Sequence, residues 1–421
     1  MIVFLGILSI VAAVWLWLLA GRTFRSSLKL ALNADTPVTP SAPARWPAIT
    51  VIIPARNEAD TLPATIPTIC RQDYPDFRVI LVDDQSDDDS PRVIEQLQAA
   101  HPNLTVVHGI TRPADWHGKQ WAVKQGVDHT NTEYLLFTDA DILFHPQVLK
   151  QSMRVMQTRN LEMFSLLPQL ILGSPSERIA LAGAMAVITG LFPLTRANDP
   201  KSRLALAAGG FILIRRDAYE RVGGHAAVRN QMIEDLSLAR IMKQAGVRMQ
   251  TLFTCDLLHT RMYTGLADLW EGLSKNAFAG IDYSLWKYFV GTMLGLVIGV
   301  LPPLYWVLSV LLLTHHPSPM TWAAFALSLL INLCMVIVHS RAVRHLQLPW
   351  WHSFLLPVSG VLYSLIAAWS VYQHYFTDGT MWKGRRYRND SASLRTAVPI
   401  MEPAGPVPSD PSVATDRCPG K

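Results

Sequence analysis

Three acidic pairs in this chain have spacings that invite chemistry. Asp139 and Asp141 stand two apart, at the end of the apolar run 134–138. In a pleated strand, side chains two apart point the same way, so both carboxylates are expected to face one side. Convergent carboxylates suit Mg2+ or Mn2+, hard ions that take one or two protein carboxylates and complete their shell with phosphate oxygens. A solvated loop can carry the same D-x-D spacing. Asp83 and Asp84 end a second apolar run, 77–82. As acceptor-only groups they could bind ribose hydroxyls or a pyrimidine N–H, or they could belong to a polar turn, as Asp87, Asp88 and Asp89 do. Glu234 and Asp235 open an amphipathic stretch that closes at Gly246. A carboxylate there is either a helix cap, worth about 1 kcal/mol, or a general base kept ionised by the helix dipole.

Two cationic features accompany the acids. Lys119, in Trp116-His117-Gly118-Lys119, precedes a helical segment and could touch a diphosphate; an exposed lysine is the plainer alternative. Arg261, Trp270 and Lys275 lie just ahead of a long apolar block. The basic pair could hold a leaving diphosphate or meet lipid headgroups. Trp270 could wall an acceptor site or anchor in a membrane interface.

The elements that must position these groups follow from hydrophobic periodicity. Runs at 49–53, 77–82, 104–107 and 134–138 read as short strands of the kind buried in a parallel sheet. Segments 61–70, 91–100 and 120–127 read as the helices between them. That alternation predicts an open α/β sheet, in which ligands sit beyond the carboxyl ends of the strands. Each acidic pair falls at such a strand end or at a helix start. Further on, 211–214 reads as a strand, 216–222 as a short helix and 235–245 as a longer one.

Composition adds a membrane. Half of the residues are hydrophobic and only 16% are charged, against roughly 25% in an average soluble domain. Residues 1–20 hold no charged side chain and are long enough to span a bilayer. Arg22, Arg25 and Lys29 follow them, so residues 1–21 read as an anchor with the chain beyond it on the cytoplasmic side. Residues 22–47 read as a linker, 48–280 as the α/β domain, 288–373 as a membrane region and 390–421 as a disordered tail. Within the membrane region, apolar stretches at 288–313, 321–338 and 353–373 are expected, the first broken by Pro302-Pro303. Arg341, Arg344 and His345 mark a cytoplasmic loop at 339–350. Three full crossings would leave Lys383–Arg388 outside, so the proline-broken stretch is expected not to cross fully. A further apolar, Gly- and Ala-rich stretch at 179–193 is expected either as a buried helix or, preferably, as one lying in the membrane interface. The net charge of +5 clusters beside apolar segments, which suits lipid headgroups rather than nucleic acid. Cys70, Cys255, Cys334 and Cys418 show no metal-binding spacing.

Taken in order, VIIPARNEA, LVDDQSDD, WHGKQWAVKQG, FTDAD, AAGGFILIRRDAYERVGG and IEDLSLARIMKQAG resemble the motif series of family 2 glycosyltransferases with a GT-A fold, over residues 48–275. WHGKQWA together with LWEGLSKN most resembles the hopanoid-biosynthesis-associated members, and the membrane layout also resembles ceramide glucosyltransferases. The resemblance implies an inner-membrane enzyme with a cytoplasmic GT-A (Rossmann-like) domain, a nucleotide-sugar donor, a lipid acceptor and a divalent metal, Mg2+ or Mn2+. It further implies that Pro54, Arg56, Glu58, Asp83, Asp84, Lys119, Asp139, Gly209 and Gly210 bind the nucleotide sugar. Asp141 and Asp139 would then hold the metal, Asp235 with Glu234 would act in catalysis, and Arg261, Trp270 and Lys275 would lie on the acceptor and diphosphate side. Processive members carry Q-x-x-R-W, which this chain lacks; single-sugar transfer from a UDP-sugar is the expectation.

Overall fold

The computed structural model describes residues 1–20, 30–36, 45–191, 193–281, 283–377, 380–382 and 385–387. Most of the expected linker, including Arg22, Arg25 and Lys29, lies outside the described residues, as do Lys383, Arg388 and the expected tail.

The first half alternates as its periodicity requires. An N-terminal helix, α1 (Ile2–Ala20), precedes β1 (Ile49–Ala55), α2 (Leu62–Cys70), β2 (Phe77–Asp83), α3 (Ser90–Ala100), β3 (Leu104–His108), α4 (Gly118–Asp128) and β4 (Tyr134–Phe137). After them come β5 (Ile142–Phe144), α5 (Val148–Thr158), β6 (Met163–Leu167), β7 (Gln169–Leu170), α6 (Pro175–Leu191), β8 (Ile212–Arg215), α7 (Arg216–Arg221), α8 (Glu234–Gln244), β9 (Met249–Phe253) and β10 (Leu258–Thr260). Seven strands form one sheet in the order β3-β2-β1-β4-β8-β6-β9. Only β8 runs against its neighbours, pairing antiparallel with both β4 and β6. The small sheet β5-β10-β7 lies apart from it.

The strands read as unbroken apolar runs because both faces of the sheet are covered. Val51, Ile53, Leu81 and Leu136 join one core with Leu62 and Ile66 of α2 and Ile94 of α3. Ile52, Leu135 and Phe137 join the other with Val123 of α4 and Leu238 of α8. The first strand was expected over 49–53, yet β1 continues through Pro54 to Ala55. The Ile52 carbonyl accepts from Thr138 on the β4 side, and the Ala55 carbonyl accepts from Asp84 on the β2 side. Pro54 therefore turns its nitrogen toward β4, where pairing has already stopped at Ile52–Phe137. Its missing N–H breaks no ladder bond there.

The helices beyond the sheet are α9 (Leu266–Ala277), α10 (Leu285–Gly295), α11 (Pro302–His315), α12 (Pro319–His345) and α13 (Leu356–Phe376), before a small hairpin of β11 (Thr380–Trp382) and β12 (Arg385–Tyr387). Among the described residues, three helices are long and apolar enough to cross a membrane: Ile2–Ala20, Pro319–His345 and Trp350–Phe376, the last including a short 3-10 turn before α13. The stretch expected at 288–313 is two helices. α10 winds into a π-turn at Leu296–Val300, and Pro302 starts α11, which alone is short for a span. The break has a cause. Pro302 and Pro303 have no N–H to return to the carbonyls of the preceding turn. The Ile298 carbonyl is instead met by the Trp15 indole N–H from α1 at 3.0 Å. Asn332 of α12 donates to the Pro302 carbonyl at 2.9 Å.

Two membrane-side expectations need correction. The loop expected at 339–350 begins later, because α12 runs to His345; Arg341 is buried and donates to the Leu19 carbonyl at 3.1 Å. The 179–193 stretch contributes to α6, whose Ala180, Leu181, Ala182 and Gly183 are buried against other helices rather than spread on an interface. A Cβ on Gly183 would fall 2.5 Å from the Ser359 side chain of α13. The small residues there permit close helix–helix approach.

Candidate active site

Four loops meet at the carboxyl end of β4. His117 caps α4, so Lys119 sits in its first turn. Asp139 follows β4, Gly209 precedes β8, and Glu234 and Asp235 open α8. The Lys119 ammonium lies 2.6 Å from Asp139 Oδ1 and 2.5 Å from Glu234 Oε1. Asp235 Oδ2 accepts the Gly209 backbone N–H at 2.9 Å, and its Oδ1 accepts from Leu236 N–H at 2.7 Å. Gly209 leaves room for the Lys119–Asp139 pair to sit against the backbone. A Cβ would stand 2.9 Å from Lys119 Nζ and 3.3 Å from Asp139 Oδ2. Pro54, Val123, Phe137, Thr138, Ile212 and His225 complete the cleft wall.

The two adjacent acids are driven apart in acidity. Burial raises Asp235, the neighbouring Glu234 charge raises it further, and its carboxyl is pushed up to about 6. Burial also opposes ionisation of Glu234, but the charge and hydrogen bond of Lys119 outweigh it and hold the carboxyl below its ordinary range. Lys119 pays a burial penalty that Asp139, Glu234 and Asp235 together more than reverse, so it stays firmly protonated. Neighbouring carboxyls in divergent environments are the arrangement by which one stays ionised while the other exchanges a proton near neutral pH.

The remaining expected residues separate into groups. At the ends of β1 and β2, Arg56 donates to the Asp84 carbonyl at 2.8 Å and pairs with Asp87 at 3.5 Å. Asp83 Oδ1 accepts from the Ser86 N–H at 3.1 Å and hydroxyl at 2.6 Å. Both bind their own loops together. Glu58 Oε2 accepts from Thr61 at 2.8 Å, and Asp84 is buried at the same rim. Gly210 packs against Ile142 and Pro168 and presents its carbonyl to Thr138 at 2.8 Å.

The D-x-D carboxylates do not share the direction a pleat would give them. β4 ends at Phe137, so both acids lie in the turn beyond it. Asp139 meets Lys119, while Asp141 Oδ2 accepts from Thr260 of β10 at 3.0 Å. Among the described residues, no three His, Cys, Asp or Glu side chains group closely enough to hold a metal unaided.

Of the residues expected on the acceptor side, Arg261 pairs with the fully buried Glu177 of α6 at 3.2 Å. Trp270 packs against the buried cluster of Ala180, Leu181, Tyr263, Leu269 and Ile366. Lys275 of α9 is not among the residues lining the cleft, but its charge adds a small influence that favours the ionised form of Glu234. Sequence reasoning passed over His225, which lines the cleft. The available signal was a histidine directly after Gly223-Gly224, nine residues before Glu234.

A mixed sheet in this strand order, with acids and a lysine at the carboxyl rim of β1, β2 and β4, is the GT-A form of nucleotide-sugar domain. The comparisons agree. Residues 50–223 match the family model described as "Glycosyl transferase family 2". The chain is 25% identical over 238 residues to a 4,4'-diaponeurosporenoate glycosyltransferase of Staphylococcus haemolyticus (strain JCSC1435), covering 55% of this chain and 62% of that protein. The enzyme of the same name from Staphylococcus aureus (strain USA300) is 27% identical over 237 residues, covering 55% and 61%. The match thus spans about three fifths of these relatives. Among solved structures, a mannosyltransferase from Pyrobaculum calidifontis, in complex with GDP-Man and Mn2+, aligns with a TM-score of 0.50 at 17% identity. It covers 87% of this chain and 99% of that one, and shows the fold.

Proposed function

We propose that this chain is a membrane-bound enzyme that transfers one sugar from a UDP-sugar to a hydroxyl of a lipid acceptor, at the cytoplasmic face of the inner membrane and with inversion. The observation that carries the reading is the Lys119 ammonium clamped between Asp139 and Glu234, with Asp235 beside it on the Gly209 N–H. Asp235 removes the acceptor proton as the acceptor oxygen bonds to the anomeric carbon and the bond to the diphosphate breaks. Glu234 stays ionised and keeps Lys119 in place. Lys119 and Lys275 supply positive charge on the side where the leaving diphosphate accumulates negative charge. Glu58 and Asp84 hold the nucleoside at the β1 and β2 ends.

The carboxylates of Asp139 and Asp141 are hard oxygen donors, and they fit a Mg2+ or Mn2+ ion whose other positions are filled by phosphate oxygens. When bound, the ion neutralises charge on the leaving diphosphate. The three long apolar helices support a membrane location and an acceptor delivered from the bilayer. The sequence resemblance favours a hopanoid or another polycyclic lipid, with polyisoprenyl phosphate, ceramide and diacylglycerol as other acceptors of the same class.

A second reading rests on the relatives' name, which ends in a carboxylate. An ionised carboxylate acceptor has no proton to lose, so Asp235 would be dispensable. Purified full-length chain incubated with UDP-sugars and bacterial lipid extract, with products read by mass, decides between the two. For a hydroxyl acceptor, Asp235→Asn should lower transfer by about 10²–10⁴-fold while donor binding persists. Undiminished transfer by that variant removes the base role and leaves the carboxylate reading.

A further inference from the structure

His225 is 4% exposed, yet it lines the same cleft as Lys119, Glu234 and Asp235. Its ring is fixed on several sides. Phe137 meets it edge-on at 4.8 Å, and the Tyr219 ring lies 5.6 Å away. The Tyr219 hydroxyl accepts the His225 backbone N–H at 2.9 Å and lies 2.9 Å from the ring Nδ1. Tyr219 is itself buried. Its hydroxyl proton has Nδ1 as its acceptor, and leaving that proton unpaired would carry the full cost of a buried donor. Nδ1 therefore accepts, and the ring proton resides on Nε2. With the Nδ1 edge turned to Tyr219, the Nε2 edge is the part of the ring left to the cleft. No described residue accepts a hydrogen bond from it.

Burial, the largest influence, drives the imidazole down to about 4; Lys119 acts in the same direction and Glu234 against it. At neutral pH the ring is an uncharged donor. A diphosphate is matched by cations, which Lys119 and Lys275 provide. A neutral N–H lining the same cleft as the acceptor-only carboxylate of Glu234 matches a different group: a hydroxyl, which donates one hydrogen bond and accepts another.

We propose that His225 Nε2–H and the Glu234 carboxylate together read one hydroxyl of the donor sugar, and so set which hexose epimer the enzyme accepts. This rests on the nucleotide-sugar reading above. An epimer with that hydroxyl turned away leaves both protein groups unmatched inside the cleft, and a site built to bond a hydroxyl discriminates strongly against its absence.

The test uses the full-length protein in detergent, a panel of UDP- and GDP-hexose epimers, and free UDP and GDP as probes lacking the sugar. His225→Phe should weaken binding of the preferred sugar nucleotide about tenfold or more and flatten discrimination between epimers. Affinity for the parent diphosphate should be unchanged, which also reports an intact fold. His225→Gln, which retains an N–H donor, should recover part of the preference. Equal loss for sugar nucleotide and free diphosphate, or an unchanged epimer preference, overturns the proposal. If the wild type binds no sugar nucleotide, the functional reading itself fails; if it binds and His225→Phe binds identically, only this inference does.

Discussion

Asp235 and Glu234 are neighbours in sequence with opposite acidities, and the pH dependence of the enzyme should show it. Asp235 is raised above the ordinary carboxylate range, to about 6. Above that pH it is ionised and able to take a proton; below it the group is protonated and the base is lost. The kcat/KM profile should therefore fall on the acid side with a single ionisation near pH 6, measured with a hydroxyl acceptor. An acid limb near pH 4 would assign the proton to another group. Lys119→Met tests the same electrostatics from the other side. Removing the cation takes away the positive charge that lowers Asp235, so any residual activity should show its acid limb at higher pH. These acids were legible in the sequence because their motifs sit where strands stop. Their directions were not. The D-x-D alignment assumed a pleat that ends at Phe137, before either acid. His225 was illegible for a related reason: a lone histidine reads as core until Tyr219 is known to hold one ring edge and the cleft to reach the residue.

At the scale of elements, glycines show where backbones and side chains approach. Gly209 and Gly126 have different reasons for lacking a side chain, and their alanine variants should fail differently. At Gly209 the obstruction is the far end of Lys119, which can move. Gly209→Ala should fold with nearly the wild-type melting temperature but lose at least tenfold in activity, because Lys119 leaves Asp139. At Gly126 of α4 a Cβ would lie 2.5 Å from Ile52 Cγ2 inside the sheet core. Gly126→Ala should cost about 1–3 kcal/mol by overpacking, with a lower melting temperature and largely retained turnover per folded molecule. If both variants lose activity and stability in parallel, the distinction is wrong. The parallel strands and their helices were readable from apolar runs, since burial on two faces leaves that pattern. The partners of α6 were not: its Ala and Gly content suits a lipid interface and a tight helix contact equally well, and only the approach of Ser359 separates them.

Across the whole molecule, the first helix and the proline break form a single unit. α1 packs Leu8, Val11, Ala12 and Trp15 against Ala324, Ile331 and Met335 of α12. Its Trp15 also supplies the donor that Pro302 and Pro303 cannot give to the Ile298 carbonyl. In an apolar surrounding an unmet carbonyl is costly, so α1 does more than tether the catalytic domain. Sequence reading gave it the tether role because a charge-free N-terminal run carries no mark of what it touches. Trp15→Phe keeps the aromatic bulk and removes only the N–H. Intramembrane hydrogen bonds measure about 0.6 kcal/mol on average and up to about 1.7, so the variant should melt measurably lower in detergent while binding the donor nucleotide as the wild type does. Trp15→Ala, which also empties the contact with α12, should fall further. If α1 were a tether alone, both variants would melt like the wild type, since neither change touches the catalytic domain.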